Sequence, residues 1–167
     1  MRFPFRLSTW VPSVVILFAV PVLASLALDR AASAGSPSSR DVAFVDSASQ
    51  AAEFIGYNRT IALNPDQKSL RDRALSALAA PCCSKFSAAT CCCPCNLAKS
   101  IWGLSNYLIV ERKAGEKEIQ KNVRGWVAFV NQKGFSGDVC DTAGGCGRTF
   151  AGNGCGGMDE KSLAAAR

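Results

Sequence analysis

The sequence predicts a small, mainly α-helical domain with a helical hairpin and a Gly/Cys-rich irregular C-terminal segment. Three observations lead there. Leu97, Ile101, Leu104 and Leu108 recur at steps of four, three and four residues, which is one apolar stripe along a helix. Ile119, Val123, Trp126, Val127 and Val130 repeat the pattern after a break at Gly115, with Lys117, Gln120, Lys121 and Arg124 on the opposite side. Beyond Gly134 the apolar period stops: nine of the fourteen glycines lie between Gly134 and Gly157, interleaved with Cys140, Cys146 and Cys155.

The chain opens on Arg2 and Arg6, followed by an almost unbroken apolar stretch from Trp10 to Leu28 and then Ala32-Ser33-Ala34. A basic start, an apolar run and a small-x-small site are the parts of an export signal, so residues 1–34 are expected to be a signal peptide. The run of about 19 residues is also long enough to cross a bilayer, which keeps an N-terminal membrane anchor open. Either way the remainder is expected outside the cytoplasm, in the periplasm or on the outer face of the cytoplasmic membrane. Losing three arginines and one aspartate lowers the net charge of +6 by two. Residues 35–167 then suffice for one core.

Residues 35–50 are expected to be a linker, beginning with the small, polar Gly35 to Ser39. Residues 51–157 form the predicted Cys-rich helical domain, and 158–167 a tail. Between Asp41 and Leu63 the apolar residues are irregularly spaced and suggest a short helix with loops. A clearer helix is opened by Asn64 as N-cap and Pro65 in the first turn, carries Leu70, Ala74, Ala77 and Leu78 on one side, and stops at Pro81. Ser84 to Thr90 makes a poor buried strand. Pro94 suits the first turn of the Leu97–Leu108 helix, and Gly115 suits its end. The third helix, about Glu116 to Asn131, folds back on it as a hairpin. Trp102 and Trp126 are assigned to an aromatic core and Gly125 to a close helix approach.

Chemistry is limited by what is missing. The chain has no histidine, which rules out Ser-His and Cys-His catalysis within it, together with His-bearing zinc hydrolase sites. Its Lys and Arg residues are dispersed among acids, as in Glu111-Arg112-Lys113, so a nucleic acid partner is not expected. Membrane contact is expected only through an uncleaved N-terminus, and an unidentified protein partner remains open. Gly152-x-Gly154-x-x-Gly157 fits a dinucleotide pattern but follows no strand.

Sulfur is what remains. Cys91, Cys92, Cys93 and Cys95 fall within five residues, with Cys82 and Cys83 upstream. Clustered thiolates can enclose one soft ion, and without imidazole the site would suit copper(I), zinc or an iron-sulfur cluster. The expected ligands are Cys91, Cys92, Cys93 and Cys95, joined by Cys82 and Cys83. Cys93 near the N-cap and Cys95 in the first turn would meet the positive end of the helix dipole, which favours thiolate. Cys140, Cys146 and Cys155 are expected in disulfides or an accessory shell. The predicted role is metal holding without turnover. A disulfide-stabilised interaction protein comes next, although adjacent cysteines, about 3.8 Å apart at Cα, bridge one another poorly. Third is a thiol-disulfide oxidoreductase using Cys92 and Cys95 of Cys92-Cys93-Pro94-Cys95.

The Cys91-Cys92-Cys93-Pro94-Cys95 run has a C-x-C-x-C frame shortly after a helix, with isolated cysteines downstream. In this it resembles exported bacterial proteins named for a PCYCGC motif, with Cys92 and Pro94 in the intervening positions and Thr90 in place of the leading proline. The likeness covers little more than five residues. It implies bacterial export and a cysteine site, and it carries no catalytic role.

Overall fold

A computed structural model describes residues 41–135 and 144–164 of the chain. The expected signal or anchor, residues 1–34, lies outside the described residues, as does Cys140. Within them the domain is mainly helical. Four principal helices run α1 (Ser47–Thr60), α2 (Pro65–Ser76), α3 (Asn96–Val110) and α4 (Glu116–Val130). A two-stranded antiparallel hairpin, β1 (Ala79–Ala80) and β2 (Cys83–Ser87), lies between α2 and α3. A 3-10 turn at Gly145–Gly147 and a short α5 (Lys161–Ala164) follow α4. No helix among the described residues is long and apolar enough to cross a membrane.

Local chemistry explains most boundaries. Asn64 and Gln67 form a reciprocal capping box, each side chain bonded to the other's backbone amide, and Pro65 sits at the first helical position where its missing N–H costs nothing. At α4 the Glu118 carboxylate reaches back to the Gly115 amide at 2.7 Å. Asp46 caps α1 by accepting from the Ser49 amide at 2.7 Å. Helix α1 is therefore longer than its irregular apolar spacing suggested. Its buried face is Ala51, Phe54 and Ile55, an i, i+3, i+4 set made partly of a residue too small to stand out in the sequence.

Helix α3 is the axis of the core. It buries Leu97, Ile101, Leu104 and Leu108, and α1, α2 and α4 all pack on it. The closest approach is at Gly103: a Cβ there would come within 1.7 Å of the Phe54 carbonyl oxygen, so only glycine lets α1 lie so near. Helices α3 and α4 form the hairpin, joined by Glu111 to Gly115. Trp126 sits edge-on to Phe54, ring centroids 5.0 Å apart, and its indole N–H donates to Ser100 at 2.9 Å. The other expected core tryptophan, Trp102, is half-buried and donates to the Ala88 carbonyl at 2.9 Å. Gly125 makes room for the Phe44 ring rather than for another helix.

Residues on either side of the expected domain limits are tied in. Val42 donates to Asn122 Oδ1 at 2.8 Å and Lys121 pairs with Asp41 at 2.7 Å, which holds the segment before α1 against α4. Near the other end, Leu163 is buried, α5 packs on α1, and Arg59 pairs with Glu160.

Candidate functional site

The N-terminus of α3 is where the cysteines meet. Its N-cap is Cys95, in an extended conformation (φ −68°, ψ 169°), so the helix starts two residues later than a Cys93 cap would require and Pro94 precedes the cap. The first-turn amides need acceptors because no helical carbonyl lies ahead of them. Most of that demand is met by the glycine-rich segment. Asn96 N donates to the Gly157 carbonyl at 2.8 Å and Leu97 N to the Cys155 carbonyl at 2.9 Å. The Asn96 side-chain amide adds bonds to the Gly156 and Asp159 carbonyls at 2.8 and 2.7 Å, and Lys99 Nζ reaches the Met158 carbonyl at 2.9 Å. A segment with no apolar stripe is thereby ordered by backbone hydrogen bonds to a preformed helix end.

Close passage of the chain makes glycine necessary there. A Cβ at Gly154 would meet Arg148 Cβ at 2.4 Å, while Gly156, with φ +77°, would drive one into the Phe150 ring at 2.5 Å. This places Cys155 between two glycines that no larger residue could replace without displacing its neighbours. Its position against α3 is accordingly fixed.

Five sulfurs converge from three stretches of chain. Cys95, Cys155 and Cys82, which lies in the β1–β2 turn, are 1%, 0% and 2% exposed. The Cys95 sulfur accepts hydrogen bonds from the Cys155 and Cys82 thiols, which are also bonded to each other. Beside them Cys93 and Cys146 stand with their sulfurs 2.8 Å apart, both half-buried. The donated thiols of Cys155 and Cys82 outweigh burial and bring Cys95 down to about 3, with the Ala98 amide of the first turn and Cys93 assisting. Cys155 moves the other way, held protonated by its bonds to Cys82 and Cys95 and by burial. Burial, the Cys146 bond and the charge on Cys95 also keep Cys93 a thiol. Within the metal-free, reduced cluster the neighbouring sulfurs thus favour the thiolate at Cys95 and the thiol at Cys93 and Cys155.

Of the expected ligands, the structure brings Cys82, Cys93 and Cys95 into this cluster, joined by Cys146 and Cys155 from the expected accessory group. Cys83 is buried at the start of β2, opposite Ala80. Cys91 directs its sulfur to the Ala88 carbonyl at 3.7 Å, and Cys92 is exposed. The two members of the expected redox pair thus differ in access: Cys92 faces solvent and Cys95 does not. Among the described residues, no group of three or more Cys, Asp or Glu side chains is arranged so that it could hold a metal ion as it stands.

Asn96 and Lys99 carry no functional pattern in the sequence. Asn96 is fully buried, and its Oδ1 is a buried side-chain oxygen with no hydrogen-bond partner. A polar residue directly after a capping cysteine is the only signal the sequence offered, and it does not say that the partners are carbonyls some sixty residues away. A groove of about 430 Å³ runs between the β-hairpin and α4, walled by Leu78, Pro81, Ala88, Val123, Val127 and Phe135, and no cysteine lines it. Comparison of the chain with protein-family models, with curated proteins and with solved structures gives no match.

Proposed function

We propose that this is an exported, non-catalytic protein that holds a soft metal ion through thiolates, with Cys82, Cys95 and Cys155 as the binding set. The observation that carries the reading is that three buried sulfurs from separate stretches of chain meet at the start of α3, where the Cys155 and Cys82 thiols lower the pKa of Cys95 and so favour its thiolate. A cation can take the place of the two donated protons, turning three hydrogen-bonded sulfurs into three ligands and releasing the protons to solvent. Sulfur ligands about 2.3 Å from an ion stand nearly 4 Å from each other, a spacing the set must adopt on loading, because as it stands it is not arranged around an ion. Copper(I) fits best. It is the softest of the candidate ions, accepts three sulfurs, and asks for no imidazole. Zinc would need a fourth ligand, which Cys93 could supply.

The burial of all three sulfurs supports holding an ion over turning over a substrate, because so little of their surface meets solvent. Export rests on the N-terminal pattern of residues 1–34, and the short likeness to PCYCGC-motif proteins agrees with it.

The test is anaerobic copper(I) titration of the reduced protein against a competing chelator, with protons and reactive thiols counted. About one equivalent of copper bound, with about two protons released and thiols protected until chelation, is the expected result. Cys95→Ser should abolish binding and Cys92→Ser should leave it intact. A protein that binds no metal and has a single reactive thiol would instead be a disulfide-built scaffold. One that binds no metal but cycles a dithiol with a measurable potential would be an oxidoreductase.

A further inference from the structure

We propose that Cys93 and Cys146 are a thiol-disulfide exchange site: a reversible latch, closed and opened by small organic disulfides and thiols, that fastens the glycine-rich segment to the start of α3. The proposal goes beyond the metal reading and does not depend on it.

Three observations carry it. The two sulfurs are in contact at 2.8 Å although 53 positions separate them. Both are half-buried, in contrast to Cys82, Cys95 and Cys155, so a small disulfide can reach this pair while the deeper set is shielded. Third, the chain around Cys146 leads straight to the buried sulfurs. The residue before its turn, Gly144, is left-handed (φ +62°), and the turn at Gly145–Gly147 is tied on by Cys155 N donating to the Gly145 carbonyl at 3.0 Å. Cys155 in turn receives the Leu97 amide through its own carbonyl. A bond from Cys146 to Cys93 therefore closes a ring that contains both the helix start and the Cys155 backbone, and it braces the hydrogen bonds that hold this segment.

The exchange balances without any group beyond the named co-reactant. Cys146 gives its proton to solvent and attacks an organic disulfide RSSR as thiolate; the S–S bond of RSSR breaks, RS⁻ leaves, and a mixed disulfide remains on the protein. The second sulfur gives its proton to solvent and attacks the protein sulfur of that mixed disulfide, expelling the second RS⁻. Two electrons pass from the cysteine pair to RSSR, which becomes two thiols. Excess RSH drives the same steps backward.

The full chain, reduced and kept metal-free with chelator, is equilibrated in oxidised and reduced glutathione mixtures, quenched in acid, alkylated and digested. Because one tryptic peptide holds Cys91, Cys92, Cys93 and Cys95 and another holds Cys140 and Cys146, the bridge is assigned by fragment sequencing. The first cross-link to form should join Cys93 to Cys146, disappear in Cys93→Ser and in Cys146→Ser, persist in Cys140→Ser, and reverse fully with reduced glutathione. Hydrogen exchange gives a second reading: amides of residues 144–157 should exchange at least several-fold more slowly in the bridged protein. A first bridge between Cys146 and Cys140, or between Cys93 and one of its near neighbours, overturns the proposal, as does a Cys93–Cys146 bond that glutathione cannot reopen. Copper binding is measured separately, so its loss with an intact latch counts against the metal reading alone.

Discussion

The two ends of the structure surrounding α3 are built on different principles. Along its length the helix is fixed by volume: Leu97, Ile101, Leu104 and Leu108 fill the space between α1, α2 and α4, with the Phe44, Phe54 and Trp126 rings packed beside them. At its start the same helix is fixed by direction, through carbonyls of Cys155 and Gly157 that meet its first amides and through sulfurs that share protons. Apolar packing tolerates small shifts at graded cost. Hydrogen bonds and thiol contacts fail over a few tenths of an ångström. The cysteine site thus rests on the more exacting of the two constructions, carried by the more robust one.

Adding one methyl group to each region separates them. In Gly103→Ala the new Cβ would be driven against the Phe54 carbonyl, and neither helix backbone can yield locally, so α1 must move off α3. The expected cost is roughly 3 kcal/mol or more, seen as a large drop in the denaturation midpoint with loss of near-ultraviolet signal from Trp126. Gly156→Ala is the matching change at the other end, where positive φ and the Phe150 ring oppose a side chain. About 1–3 kcal/mol is expected, and locally. The Asn96 and Leu97 amides should lose exchange protection while those in the middle of α3 keep theirs. Equal deprotection along the helix would mean that the two regions unfold as one.

Acidity probes the site without changing its shape. In the reduced, metal-free protein a single thiolate should persist far into the acid range and be lost only near pH 3, followed by thiolate ultraviolet absorbance; Cys95→Ser should remove it. The consequence for stability has a definite sign. A thiol lowered from about 9 to about 3 contributes stability that is complete above pH 9 and declines as pH falls towards 3. Cys93 and Cys155, both raised, act in reverse: their contribution is present below pH 9 and is lost as pH rises above it. The sulfur cluster should therefore be most stabilising near pH 9, and between pH 5 and 9, above the carboxylate range, stability should climb. Gly103→Ala should leave that slope unchanged in whatever folded population remains, and Cys95→Ser should flatten it.

Legibility in the sequence follows the same division. The stripe of α3, that of α4, and the Asn64-Pro65 start of α2 could be read because helix periodicity and capping act over three or four residues. Helix α1 is longer than its apolar spacing indicates, since Ala51 carries little apolar weight by itself, although Ala51, Phe54 and Ile55 have helical spacing. The β-hairpin escaped because one of its strands is only Ala79–Ala80 and the exposed Ser84, Lys85 and Phe86 give β2 no alternating face. As for the site, the clustering of cysteines points to the start of α3, but spacing cannot say that Cys92 lies exposed while Cys146 and Cys155 arrive. That selection depends on where Cys95 ends its extended conformation and on carbonyls sixty residues distant, neither of which leaves a local trace.

The smallest change offers the sharpest distinction between an amide network and a charge. Lys99 reaches the Met158 carbonyl across the outer edge of the clasp, where water can take over either partner. Lys99→Met keeps the length of the side chain and removes only the donor, so a loss of about 0.5 kcal/mol or less is expected in chemical denaturation. Were the glycine-rich segment held mainly by attraction between the lysine charge and a distant field, the loss would be larger and would shrink in high salt. With the buried Asn96 bonds carrying the attachment, salt should make no difference, and exchange protection of the Leu97 amide should survive the substitution.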